Sequence, residues 1–149
     1  MVATNLSVPG CPFCEIIAGR LPSSDVYRDD LVAAFLDIRP ITTGHLLIVP
    51  CSHAGGLADL PEETGAAMFA AAQRMAAALR ASEIQCDGIN FFLADGTVAG
   101  QEVHHVHLHV VPRFANDGFR LSANFLSPDR SVLDATAETV RVALVHQPG

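Results

Sequence analysis

The sequence predicts an α+β domain with a mostly antiparallel sheet of about five strands. Three observations carry this expectation. Short apolar runs bounded by Gly, Pro, Asn and Asp come in groups, as antiparallel strands do. One long Ala- and Met-rich stretch reads as a central helix. A shorter helical stretch stands near the N-terminus. At 149 residues, half of them hydrophobic and 17% charged, the chain suits one globular domain, 1–149.

Residues 1–10 are expected to form a flexible arm ending in Pro9-Gly10. Phe13 to Ala18 can make a short helix that Gly19 stops. Val26-Tyr27-Arg28 and Leu31 to Leu36 flank Asp29-Asp30, a hairpin signal. Pro40, Thr42, Thr43 and Gly44 mark a loop, and His45 to Val49 reads as a buried strand closed by Pro50. The long helix is expected from about Pro61 to Leu79: Pro61 suits its first turn, and Glu62 and Glu63 favour the positive end of its dipole. Asn90 to Leu93 is a further strand, and Asp95-Gly96 opens a loop through Gly100-Gln101. Residues 113–149 read as a loop-rich extension in which Ser127 and Pro128 cap a terminal helix from about Asp129 to Leu144.

The most informative segment is His104-His105-Val106-His107-Leu108-His109-Val110-Val111-Pro112. A strand sends successive side chains to opposite faces. His105, His107 and His109 are therefore expected along one face, with Val106, Leu108 and Val110 burying the other. Neighbouring members of the row lie roughly 7 Å apart and the outer pair about 13 Å. Imidazoles titrating near neutral pH suit nucleophilic attack, proton transfer or metal binding better than core packing. The plain alternative is a solvated strand face that happens to carry histidine.

The net charge of −7 and pI of about 5.3 argue against a polymer nucleic-acid binder, which needs a basic face. They leave room for a single nucleotide. With no signal-like N-terminus and no apolar run of about 18 residues, a cytoplasmic protein with no membrane association is expected, its four cysteines reduced. Cys11 and Cys14 form a CxxC, by itself a weak signal: a redox pair, half a zinc site or neither. Thioredoxin-like chemistry prefers a βαβ context that is missing. Cys51 and Cys86 read as small packing residues, His104 as facing away from the row and His146 as solvated.

His105-Val106-His107-Leu108-His109-Val110-Val111 resembles the His-φ-His-φ-His-φ-φ signature of the histidine triad (HIT) family, in its bacterial Hint-like branch. Cys11 to Gly19 resembles the opening of bacterial members. Ala34 to Pro40 and Gly44 to Pro50 resemble the two segments that build the nucleotide pocket, and Gly100-Gln101 stands where the family has Gly-Gln before the triad. The resemblance spans about Cys11 to Arg113 and implies the HIT-like fold. It further implies a nucleotide hydrolase that attacks the α-phosphate of purine nucleoside phosphoramidates or dinucleoside polyphosphates through a nucleotidyl-histidine.

By that resemblance His107 is the nucleophile, His109 orients it or shares protons with it, and His105 completes the triad. Asp37 holds the ribose hydroxyls, Ile38 packs on the base, and His45 and Gln101 line the phosphate site with His107 and His109. Each has a structural alternative: a strand-end turn for Asp37, a satisfied structural ring for His45, a loop support for Gln101. A structural Zn²⁺ on Cys11, Cys14, His53 and His105 is implied, with no catalytic metal, and so is a homodimer. Two positions depart from the family pattern. Ala94 stands where relatives carry Asn or Gln, and Glu102 where many carry Ser or Thr; a carboxylate pointing inward there repels phosphate. Two other functions remain: a metal-dependent hydrolase using His-x-His as catalytic zinc ligands, and a nucleotide-binding or signalling module with negligible catalysis.

Overall fold

Asp25–Arg28 (β1), Val32–Leu36 (β2), Leu46–Pro50 (β3), Gly88–Leu93 (β4) and Leu108–Arg113 (β5) form one sheet in the order β1-β2-β3-β5-β4. Every neighbouring pair is antiparallel. A computed structural model describes residues 5–147. The described residues also form three α-helices, Pro12–Ile17 (α1), Glu62–Ala81 (α2) and Arg130–Val145 (α3). The chain divides into two compact units, one ending at Phe119 and one beginning at Arg120. Among the described residues no helix is long and apolar enough to cross a membrane.

The β1–β2 hairpin turns where Asp29 accepts the backbone N–H groups of Leu31 and Val32 at 2.9 and 2.8 Å, the local bonding that makes aspartate a turn former. In β2 and β3 the two faces separate by period two. Val32, Ala34, Leu46 and Ile48 face α2, which fills that side with Met68, Ala71, Ala72, Met75 and Leu79. Its alanines let the helix approach closely. Ala33, Phe35, Leu47 and Val49 face the other way, onto Cys11, Phe13 and Cys14 around α1. The odd-numbered face of β2 and β3 therefore meets the N-terminal segment.

Helix bounds agree with expectation to within two residues. Pro61 caps α2, and Asp129, rather than Ser127 or Pro128, is the N-cap of α3. The tie at the N-terminus differs from a flexible arm over residues 1–10. Leu6 donates its N–H to Ser52 Oγ at 3.0 Å and accepts the N–H of His53 at 2.7 Å, which fixes the segment beside the loop after β3. Residues 1–4 lie outside the described residues.

The histidine strand is shorter than its alternation predicts. β5 begins at Leu108, so His105 and His107 precede it in irregular chain. They are buried, at 0% and 6% exposure, rather than lining an open face. The physical reason is Pro50. The β3–β5 ladder ends at the Ile48–Leu108 pair, and proline two residues on has no N–H to extend it. Instead Val106 donates its N–H to Ala54 O at 2.8 Å, and the His105 ring donates to Pro50 O.

Candidate active site and metal cluster

Asp37, His45 and His109 stand on the same odd-numbered face, at the ends of β2 and β3 and within β5. The turn before β3 positions His45. Gly44 adopts φ +90°, and a Cβ there would meet Ile84, Leu79 and Pro112 carbons at 3.0 to 3.2 Å, so glycine is required.

Hydrogen bonds fix each ring's tautomer. His45 Nδ1 accepts the backbone N–H of Ile41 at 3.0 Å, which puts its own proton on Nε2. That Nε2–H donates to His109 Nδ1 at 2.9 Å, so the proton of a neutral His109 sits on Nε2. His107 Nδ1–H donates to the carbonyl of His105 at 2.7 Å, leaving the lone pair on Nε2. That atom makes no hydrogen bond, and among the described residues no buried side-chain nitrogen or oxygen lacks a partner, so Nε2 is the ring's solvent-accessible end. The His107 and His109 ring centroids lie 4.9 Å apart, and the ring of Phe13 packs edge-on against that of His107 at 5.3 Å, from the α1 side. The segment thus places an unprotonated nitrogen beside a protonated one.

Burial, then the adjacent His107 and His45 rings, pushes the His109 pKa down to about 4. His45 is lowered by burial, which nearby Asp37 opposes. Asp37 Oδ2 lies 3.6 Å from His45 Nε2 and 4.0 Å from His109 Nδ1, and Oδ1 accepts the Arg39 N–H at 2.8 Å. Ile38, between them in sequence, is 92% exposed.

Gln101 is differently placed from the phosphate contact first expected. Its amide donates both protons to the carbonyls of Gly55 and Val103, and its oxygen accepts the Gly96 N–H, so the side chain clamps two loops from within. Glu102 is turned to Arg39, at 2.8 Å. His104 is exposed, and Cys51 and Cys86 are buried, as the sequence suggested. Sequence reasoning assigned no role to Phe13, Arg39, the Ile41 N–H or the Pro50 carbonyl. Of these only Arg39, the one cation between Ala34 and Pro40 and two residues from Asp37, carried a signal.

On the far side of His105 a second cluster forms. Cys11 Sγ, Cys14 Sγ, His53 and His105 each offer one ligand atom, all within 4.8 Å of one another. His105 Nδ1 lies 3.4 Å from Cys11 Sγ and 3.6 Å from Cys14 Sγ, and His53 Nδ1 lies 3.4 Å from Cys14 Sγ. Tetrahedral zinc with bonds of about 2.0 to 2.3 Å spaces its ligands by roughly these distances. His105 Nε2–H donates to Pro50 O at 2.9 Å, which leaves Nδ1 unprotonated and aimed at the sulfurs, as a ligating ring requires. The donor set therefore fits a metal. Asp37, His45 and His109 are similarly close, but there the proton of His45 occupies the nitrogen that an ion would need.

Residues 18–116 match the family model of the HIT domain. The chain belongs to the HIT-domain family. A Streptococcus mutans crystal structure superimposes on this HIT protein with a TM-score of 0.88 at 38% identity, covering 95% of this chain and 89% of that one. A zinc-bound histidine triad family protein from Mycobacterium smegmatis is 40% identical, with a TM-score of 0.72, covering 90% of this chain and 97% of that one. The adenosine 5′-monophosphoramidase of Saccharomyces cerevisiae is 36% identical over 118 residues, 76% of this HIT protein and 72% of that enzyme. Nucleotide chemistry is thus known within the family.

Proposed function

We infer that this HIT protein hydrolyses purine nucleoside phosphoramidates or dinucleoside polyphosphates at the α-phosphate, through a nucleotidyl intermediate on His107. The carrying observation is the tautomer of His107: with Nδ1–H bound to the His105 carbonyl, Nε2 presents its lone pair at the accessible end of the ring. Nε2 forms the bond to phosphorus as the bond to the leaving group breaks. The Nδ1–H···O bond steadies the positive charge that develops on the ring. An amine leaving group takes its electron pair and one proton. His109 takes up a proton from solvent as the anionic phosphate binds and raises its proton affinity, and it passes a proton to the amine, returning to the neutral ring. Water then attacks phosphorus, its proton returns to His109, and His107 departs as neutral imidazole. An anhydride leaving group departs as an anion and needs no proton.

Asp37 accepts the ribose hydroxyls, and exposed Ile38 offers an apolar surface to the purine. Cys11, Cys14, His53 and His105 hold a Zn²⁺ that, when bound, supplies a cross-link between the N-terminal segment and the triad. The soluble working unit is a cytoplasmic homodimer, a state that sedimentation at working concentration checks. The yeast phosphoramidase supports the substrate class. The deciding experiment is hydrolysis of adenosine 5′-phosphoramidate by wild type and His107→Ala, each shown to be folded. Turnover by wild type alone, with an acid-labile adenylyl adduct trapped on wild type, is the expected result. Nucleotide binding without turnover by folded wild type rejects the hydrolase in favour of a binding module.

A further inference from the structure

Asp37 to Pro40, after β2, and Gly100 to Val103, before the triad, are far apart in sequence, yet one contact joins them. Arg39 Nη2 lies 2.8 Å from Glu102 Oε2, with both side chains largely exposed, at 79% and 76%. An exposed pair of this kind contributes little to stability. Its consequence lies in where it puts charge. Arg39 follows Ile38 and donates its backbone N–H to Asp37, the proposed ribose ligand. Glu102 follows the loop clamp Gln101, and its charge is felt at His109.

We propose that the Arg39–Glu102 pair sets leaving-group selectivity, favouring substrates whose α-phosphate carries an amine over those whose α-phosphate carries a polyphosphate. This rests on the hydrolase reading above. With Arg39 engaged by Glu102, its cation is not free to neutralise a substrate phosphate, and Asp37 adds a second carboxylate nearby. A polyphosphate leaving group brings further negative charge toward these carboxylates, whereas an amine is neutral and turns cationic on protonation.

The test measures kcat/KM for two substrates with the same adenylyl group, an adenosine 5′-phosphoramidate bearing an alkylamine and diadenosine tetraphosphate. The quantity read is their ratio. Glu102→Gln keeps the side chain's shape, removes its charge and frees Arg39, and is expected to lower the amine-to-polyphosphate ratio by about tenfold, chiefly through the polyphosphate KM. Arg39→Gln leaves Glu102 uncompensated and is expected to raise the ratio. Added salt is expected to bring the wild-type ratio toward that of Glu102→Gln. A Glu102→Gln ratio within twofold of wild type overturns the proposal, and so do shifts in the same direction in both variants, which mark a merely structural contact. A folded wild type that cleaves neither substrate overturns the hydrolase reading itself, an outcome distinct from turnover with an unchanged ratio.

Discussion

The main-chain carbonyl of His105 accepts the Nδ1 proton of His107 at 2.7 Å, while the His105 ring directs Nδ1 at two cysteine sulfurs. One residue thus joins the metal-fitting cluster to the His107 ring. Zinc is expected at one ion per chain, by elemental analysis. Cys14→Ser is expected to bring it close to zero and to destabilise the protein by about 3 kcal/mol, which lowers the thermal midpoint by roughly 10 °C. A chain that purifies metal-free with an unshifted midpoint contradicts the zinc assignment.

His45 is hydrogen-bonded to His109, and under the proposed hydrolase reading its loss is expected to reach the chemistry more than the binding. His45→Ala removes the donor to His109 Nδ1 and strands the Ile41 N–H. Single-turnover kinetics should show a fall of on the order of 100-fold in the bond-breaking step. An unaltered rate constant shows that the relay has no part in it.

Asp37→Asn keeps an acceptor for the Arg39 N–H but loses the charge offered to ribose. The expected loss in kcat/KM is roughly 10- to 100-fold for the ribonucleotide and much smaller for its 2′,3′-dideoxy analogue. Equal losses on both sugars point to a turn role alone.

Acid sensitivity follows from the His109 ring. Its folded-state pKa of about 4 lies below the ordinary 6.5, chiefly through burial. Below pH 6.5 the unfolded chain takes up a proton that the folded one refuses until about pH 4. Stability is therefore fullest above pH 6.5 and declines as pH falls to about 4, by on the order of 3 kcal/mol from this ring. Urea unfolding at pH 7 and near pH 4 should show a smaller acid loss in His109→Gln than in wild type. Equal losses in the two proteins refute the depressed pKa.

Period two in β2 and β3, the Asp29-Asp30 turn and the Pro61 helix start were legible because each is local: neighbouring residues decide it. The triad was legible as a pattern but not as a shape. Its alternation reads as continuous strand, and only the non-local meeting of β3 with β5 shows that Pro50 ends the ladder at Leu108. Gln101 reads equally well as phosphate ligand or loop clamp until Gly55, Gly96 and Val103 are seen around it. The Arg39–Glu102 contact spans 63 positions and has no periodic trace at all.

The strand order carries a consequence for how the protein matures. β5 is the seam between the β1-β2-β3 meander and β4, although it follows both in sequence. During synthesis the meander and β4 emerge as two separate pieces, and the segment that unites them bears the histidines. Assembly and reactivity therefore coincide. A nascent or truncated chain ending before Leu108 has no joined sheet and lacks the His109 ring that stands beside His45 and His107.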